Sequence, residues 1–270
     1  MNEIKPILRW PGAKWRIAKW IISHFPAHGT YLEPFFGSGA VFFTKIPSKT
    51  ETINDIDDNI VNLFRICREH PIELAKKIEI TPYSKTEYLF CRKNYAKCDC
   101  DDIERARRYL VAIWQGFGGK TYQETSWAHD RTNSVFRPKY FSEVPQRILD
   151  VISRLKMAQI ENKNAIELID MYNRKDCLIY ADPPYMKSLR SNLHYEHEMA
   201  TDDEHKQLLE VLLHHKGAVI ISSYSNKLYD KWLVLENGWD KQSIRVQATG
   251  KSTVECIYLN PICNREINLF

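Results

Sequence analysis

The sequence predicts an α/β protein: a mainly parallel sheet covered by helices on both faces and interrupted once by a helical insertion. Three observations carry this expectation. Short apolar runs alternate with segments of helical periodicity before residue 70 and again after residue 157. Several of the runs end in residues suited to a ligand crevice at the carboxyl ends of parallel strands: Glu33 ahead of Gly37-Ser38-Gly39, Asn54-Asp55, and Asp182-Pro183-Pro184-Tyr185. Between residues 71 and 155 the pattern turns mostly helical.

Taken in order, Ile17, Trp20, Ile21 and His24 share one face of a helix over residues 15–25, which stops at Pro26. Thr30-Tyr31-Leu32-Glu33 reads as a short buried strand, and Ser38 is placed to cap a helix through Ala40-Val41-Phe42-Phe43. Residues 51–54 form the next strand, followed by a helix from about 58 to 68. After Pro71 come helices over 71–80, 85–96 and 102–114, then a loop over 115–140 rich in glycine, polar and aromatic residues. Helix returns at 141–156, followed by a strand at 158–161 and a helix at 165–172. Cys177-Leu178-Ile179-Tyr180-Ala181 is the strand that feeds Asp182. A helix over 202–215, a strand at 218–222, a helix over 227–234 and strands near 239–246 and 253–259 complete the pattern. Residues 1–70 and 156–270 are thus expected to form one domain, with 71–155 inserted into it.

Composition sets broad bounds. A chain of 270 residues with 44% hydrophobic and 27% charged residues suits a soluble globular protein with a sizeable core. No apolar run approaches the roughly 20 residues that cross a bilayer. Met1-Asn2-Glu3-Ile4-Lys5-Pro6 lacks the apolar stretch of a signal peptide. Seven irregularly spaced cysteines point to reduced thiols and a cytoplasmic setting. Cys91, Cys98 and Cys100 lie close together, yet no second Cys/His pair follows at finger-like spacing, so no metal is expected. The formal net charge is +4. Residues 84–147 hold twelve Lys/Arg against eight Asp/Glu, so the whole excess sits inside the insertion, where it could meet a polyanion.

The turn Asp182-Pro183-Pro184-Tyr185 carries the most chemical information. Its prolines fix φ and donate no N–H, so the turn is stiff and presents carbonyl oxygens. A carboxylate beside such a carbonyl offers two acceptors for the two hydrogens of an amino group, and Tyr185 offers a ring face or a phenol. Alone, the four residues also describe an ordinary strand ending in a proline turn. Other clusters narrow the choice. Glycines at 37 and 39 let a ligand approach the backbone, although an isolated Gly-x-Gly is often only a turn. Asp55 lies 18 residues after Gly37, near where a ribose-binding carboxylate is expected, though it could equally cap the next helix. Trp10 and Lys14 precede the first helix and could face a ligand's aromatic and carboxylate ends.

Trp10-x-Gly12-x-Lys14, Glu33-Pro34-Phe35-x-Gly37-x-Gly39, Asp55 and Asp182-Pro183-Pro184-Tyr185, in that order, resemble the motifs of the Dam-like DNA adenine-N6 methyltransferases. Val254-Glu255 and Tyr258-Leu259-Asn260 are similar to that family's last strand, and the motif order resembles its α arrangement. Residues 114–120 and Trp127-Ala128-His129-Asp130 look closer to phage-type members than to enzymes that read GATC. The resemblance implies a Rossmann-like S-adenosylmethionine-dependent methyltransferase sheet with an inserted helical target-recognition domain. It implies cofactor contacts from Trp10, Lys14, Glu33, Phe35, Gly37, Gly39, Asp55 and Asp182, with Asp55 on the ribose. It also implies methyl transfer to the amino group of an adenine flipped from double-stranded DNA, carried by Asp182 and Tyr185 with Pro183 and Pro184 as scaffold. Lys120, Tyr122, Trp127, Arg131, Asn133, Arg137 and Lys139, with Phe117 and Tyr140 nearby, are the candidate DNA-binding residues. A cognate restriction endonuclease as partner, and a monomer or weak dimer, fit the same family. Methylation of RNA adenine or of a glutamine amide, a DNA-binding relic without catalysis, and a nicotinamide-dependent enzyme are the other readings. The last lacks its third glycine, because position 42 is Phe.

Overall fold

A computed structural model describes residues 4–96, 99–119, 125–130, 136–186, 199–248 and 251–263. Seven strands form one sheet: β1 (Thr30–Glu33), β2 (Thr50–Asn54), β3 (Gln159–Glu161), β4 (Cys177–Ala181), β5 (Ala218–Ser223), β6 (Asp240–Ala248) and β7 (Lys251–Leu259). Their order is β3-β2-β1-β4-β5-β7-β6. The first five are parallel, while β7 runs antiparallel to β5 and pairs with β6 as a hairpin. The expected alternation of strand and helix is therefore present, with two antiparallel strands at one edge. Leu32 pairs with Thr52 on one side and Ile179 on the other, so β1 and β4 are central neighbours. The chain winds outward from β1 through β2 to β3, and in the other direction from β4 to β5. The crevice beyond the carboxyl ends of β1 and β4 is thus the switch point at which an open α/β sheet receives a ligand.

The central strands are apolar throughout because both faces are covered. Along β4, Leu178 and Tyr180 enter one buried cluster while Cys177, Ile179 and Ala181 enter the other. The first cluster is closed by α1 (Ala18–Ile22), α2 (Ala40–Thr44), α3 (Asp58–Glu69), α4 (Pro71–Glu79), α6 (Asp102–Trp114) and α8 (Val144–Asp150). The second is closed by α10 (Ala165–Met171), α11 (Asp202–Leu213) and α12 (Lys227–Tyr229), which runs on as a π-helical turn over Asp230–Leu235. Further helices are α5 (Lys85–Asn94), α7 (Arg137–Ser142) and α9 (Ile152–Leu155). Ile53 of β2, Leu110 of α6 and Ile148 of α8 lie in one continuous cluster, so the helices of 71–155 share a core with the sheet.

Opposite the crevice, at the amino end of β2, Glu51 is fully buried between Lys45 and Arg154. Arg154 Nη2 donates to Glu51 Oε1 at 2.9 Å, and the Ser48 N–H donates to the same oxygen at 3.0 Å. The Arg154 guanidinium also covers the Phe42 ring at 3.7 Å, fastening α9 to α2 and the sheet.

Three local expectations change. Residues 141–156 are not one helix but the end of α7 followed by α8, which opens with Pro145 in its first turn, and by α9, which begins after Val151 without a proline. Ser38 does not cap α2: its Oγ accepts from Trp15 Nε1 at 3.1 Å, and Gly39 at φ 68° is the cap residue. Cys100 is disulfide-bonded, unlike the reduced thiols expected throughout. Cys91 is a free buried thiol that donates to Glu87 at 3.1 Å. No helix among the described residues is long and apolar enough to cross a membrane.

Candidate active site

The crevice is a cavity of about 360 Å³, within the range of small-molecule sites. Its floor is built by the residues that leave β1, β2 and β4. The β1 exit is locked by Asn54: its Nδ2 donates to the Pro34 carbonyl at 2.9 Å and its backbone oxygen accepts from the Phe36 N–H at 2.8 Å. Gly37 follows at φ 50°, and a Cβ there would sit 3.0 Å from the Trp10 indole. Glycine is required on both counts. Asp55 accepts from the Gly37 N–H at 2.8 Å and the Asp57 N–H at 3.0 Å, so the carboxylate is aimed by the loop across from it. Burial still pushes its pKa up to about 7, and those backbone donors only restrain the rise.

Lys14 and Asp182 meet across the floor. Lys14 Nζ lies 2.9 Å from Asp182 Oδ2 and donates to the Gly12 carbonyl at 2.8 Å. Burial works to lower the Lys14 pKa, but Asp182 and Glu255 outweigh it and raise it. Burial likewise raises the Asp182 carboxyl, with Lys14 and Tyr185 holding it back. Asp182 Oδ1 is buried and has no hydrogen-bond partner among the described residues. Beside it, Glu33 is pushed up to about 8 by burial, although the Tyr31 hydroxyl donates to it at 2.7 Å.

Trp10, Lys14, Glu33, Phe35, Gly37, Asp55, Asp182 and Pro184 all line the cavity. Gly39 does not. A Cβ on it would meet the Phe36 and Phe43 rings at 2.4 and 2.7 Å, so this glycine serves packing beneath the loop. Tyr185 also lies outside the lining residues. It is buried, its hydroxyl donates to Glu255 Oε2 at 2.8 Å, and its ring lies 4.8 Å from the Lys14 ammonium and 4.7 Å from Tyr224.

The far wall comes from Asn164, Ala165 and Ile166 at the start of α10 and from Met199, Glu204 and Gln207 at α11. Sequence reasoning missed all six. Asn164 follows the end of β3, so the strand-end argument applied to Gly37, Asp55 and Asp182 would also have found it.

Among the candidate DNA-binding residues, Lys120, Tyr122, Arg131 and Asn133 lie outside the described residues. Trp127 is half-buried, bridges Gly116 in a short backbone pairing and stacks on His129 at 5.2 Å. Arg137 is drawn into an ion pair with Asp130, which also accepts from its backbone N–H at 2.7 Å. Lys139 and Tyr140 are exposed on α7, and Phe117 and Phe136 are exposed nearby in sequence.

This combination, a ligand cavity at the switch point of an open parallel sheet with a stiff carboxylate turn at its wall, defines an α/β enzyme of the group-transfer kind. Residues 10–247 match the model of the D12 class N6 adenine-specific DNA methyltransferases, and the chain belongs to that family. It is a DNA N6-adenine methyltransferase. It is similar to the type II methyltransferase M.MjaIII of Methanocaldococcus jannaschii, 24% identical over 84% of this chain and 89% of the relative. The Lactococcus lactis type II methyltransferase M1.LlaDCHI is 25% identical over 83% and 82%. The DNA N-6-adenine-methyltransferase of Escherichia phage P1 is 23% identical over 82% of this chain and 30% of its own length.

Proposed function

We propose that the enzyme takes its methyl group from S-adenosylmethionine and delivers it to an adenine flipped out of duplex DNA, with Asp182 holding the amino group. The carrying observation is the split role of the Asp182 carboxylate in the cavity lining: Oδ2 is fixed by Lys14, while Oδ1 is buried without a hydrogen-bond partner among the described residues. The residues present fit such a cofactor. Gly37 is a cradle that a Cβ would fill, Asp55 is a loop-aimed acceptor suited to a ribose, and Trp10 walls the loop between them. When bound, the cofactor supplies an electrophilic methyl group.

The chain's own residues would do the rest. An adenine amino lone pair is delocalised into the ring and is a poor nucleophile. Acceptance of one N–H by Asp182 Oδ1 and the other by a proline carbonyl favours tetrahedral geometry at nitrogen and localises that lone pair. Because both acceptors are fixed beforehand, they stabilise the charge that develops on nitrogen without reorganising. Alignment of the reacting groups can contribute roughly 7–11 kcal/mol, so no covalent intermediate with the protein is needed. An adenine inside a duplex cannot reach this turn, which is the reason to propose flipping, with Tyr185 as the aromatic neighbour of the extruded base. Residues 71–155 would serve as the target-recognition unit, through the exposed Lys139 and the loop preceding α7.

The test is incubation with methyl-labelled S-adenosylmethionine and unmethylated duplex DNA, followed by digestion to nucleosides. Label in N6-methyladenine supports the proposal. No label transferred to duplex DNA, when single-stranded DNA or RNA is labelled under the same conditions, contradicts it.

A further inference from the structure

Besides its charge near Lys14, Glu255 makes the contact that decides what Tyr185 does. It sits on the edge hairpin, in β7, seventy residues along the chain from the phenol that it accepts at 2.8 Å. Tyr185 has two carboxylates within its influence, Asp182 and Glu255. Its hydroxyl has one proton to give. Given to Asp182, that proton would occupy an acceptor that the amino group needs. The hydroxyl donates to Glu255, and although Tyr185 also helps to hold the Asp182 carboxyl down, Asp182 Oδ1 is left without a hydrogen-bond partner among the described residues.

We propose that Glu255 is a positioning residue for methyl transfer: by taking the Tyr185 hydroxyl proton it keeps Asp182 Oδ1 free for the adenine amino group. The proposal rests on the reading of Asp182 as the amino-group acceptor. A buried carboxylate oxygen without a partner is costly, so a nearby phenol turns to it unless a competing acceptor holds the phenol away. Glu255 is that competitor. Its reach from a different strand also explains why the Asp182 turn alone does not specify the arrangement.

The geometry makes an unusual prediction about paired substitutions. Glu255→Ala frees the phenol to cap Asp182, and single-turnover methyl transfer to unmethylated duplex DNA falls about 10–100-fold, as expected for loss of a charge-assisted hydrogen bond. S-adenosylmethionine affinity stays within about threefold, because Glu255 does not line the cavity. Glu255→Gln keeps an acceptor and retains most of the rate. Adding Tyr185→Phe to Glu255→Ala removes the misplaced proton and raises the rate several-fold above Glu255→Ala alone. If Glu255→Ala does not fold, Glu255→Met fills the space without an acceptor and takes its place.

A double variant no faster than Glu255→Ala overturns the proposal. So does Glu255→Gln falling as far as Ala, since charge rather than hydrogen bonding would then matter. A full rate in Asp182→Ala is a different failure: it sinks the amino-group reading beneath the proposal.

Discussion

Asp55 shows how one residue couples protonation to ligand binding. In the free protein burial pushes its pKa up to about 7, against roughly 3.9 for an unburied aspartate. Between those values the folded chain holds a proton that the unfolded chain has released. Its contribution to the stability of the free protein is therefore present at acid pH and lost as pH rises through about 7. A ligand whose hydroxyls bond the ionised carboxylate reverses that preference. S-adenosylmethionine affinity, measured by titration calorimetry between pH 6 and 8.5, is expected to weaken as pH falls through 7. Asp55→Asn should bind roughly 10–100-fold more weakly at pH 8 and lose the pH dependence centred near 7, leaving that of Glu33 at about 8. An unchanged affinity in Asp55→Asn would remove the ribose role.

At the scale of elements, the buried Lys45–Glu51–Arg154 cluster ties α9 to the foot of the sheet. Burial opposes ionisation of Glu51, but Arg154 and Lys45 win and hold its pKa below the usual range. Its contribution is present above the unfolded value of about 4.3 and lost as pH falls through the folded one. Glu51→Gln leaves two buried cations without their shared anion, and should cost about 3–5 kcal/mol in urea unfolding at pH 7. A midpoint equal to wild type would mean that the cluster is solvated and holds nothing together.

Most elements were legible because their signals are local: β1, β2 and β4 are short apolar runs, and α3 and α6 have helical spacing with Asp57 and Asp101 as true caps. The break between α7 and α8 was written in Pro145, but an apolar face continued past it and masked it, while the break between α8 and α9 has no proline to mark it. The site was legible as a set of strand-end residues and illegible as a set of contacts. Nothing in the sequence pairs Lys14 with Asp182 or brings Glu255 to Tyr185. Gly39 fooled the same argument, since a glycine that packs under two phenylalanines looks in sequence like one that faces a ligand.

For the whole molecule, charge and topology place two proposed functions on one chain: a cofactor cavity at the switch point and a basic helical unit beside it. If residues 71–155 meet phosphates, DNA affinity falls steeply with salt, by about 0.9 log units per tenfold salt for each phosphate neutralised. Lys139, exposed on α7, is expected to supply one such contact. Lys139→Ala should weaken binding equally for unrelated duplexes and reduce the salt slope by about 1. A slope equal to wild type would place the phosphates elsewhere.

The central claim is that the Asp182 carboxylate holds the amino group that is methylated. The most direct measurement is single-turnover transfer from labelled S-adenosylmethionine to unmethylated duplex DNA by Asp182→Ala, with DNA binding followed in parallel. The account predicts loss of transfer with DNA affinity largely intact. Transfer at the wild-type rate would contradict it.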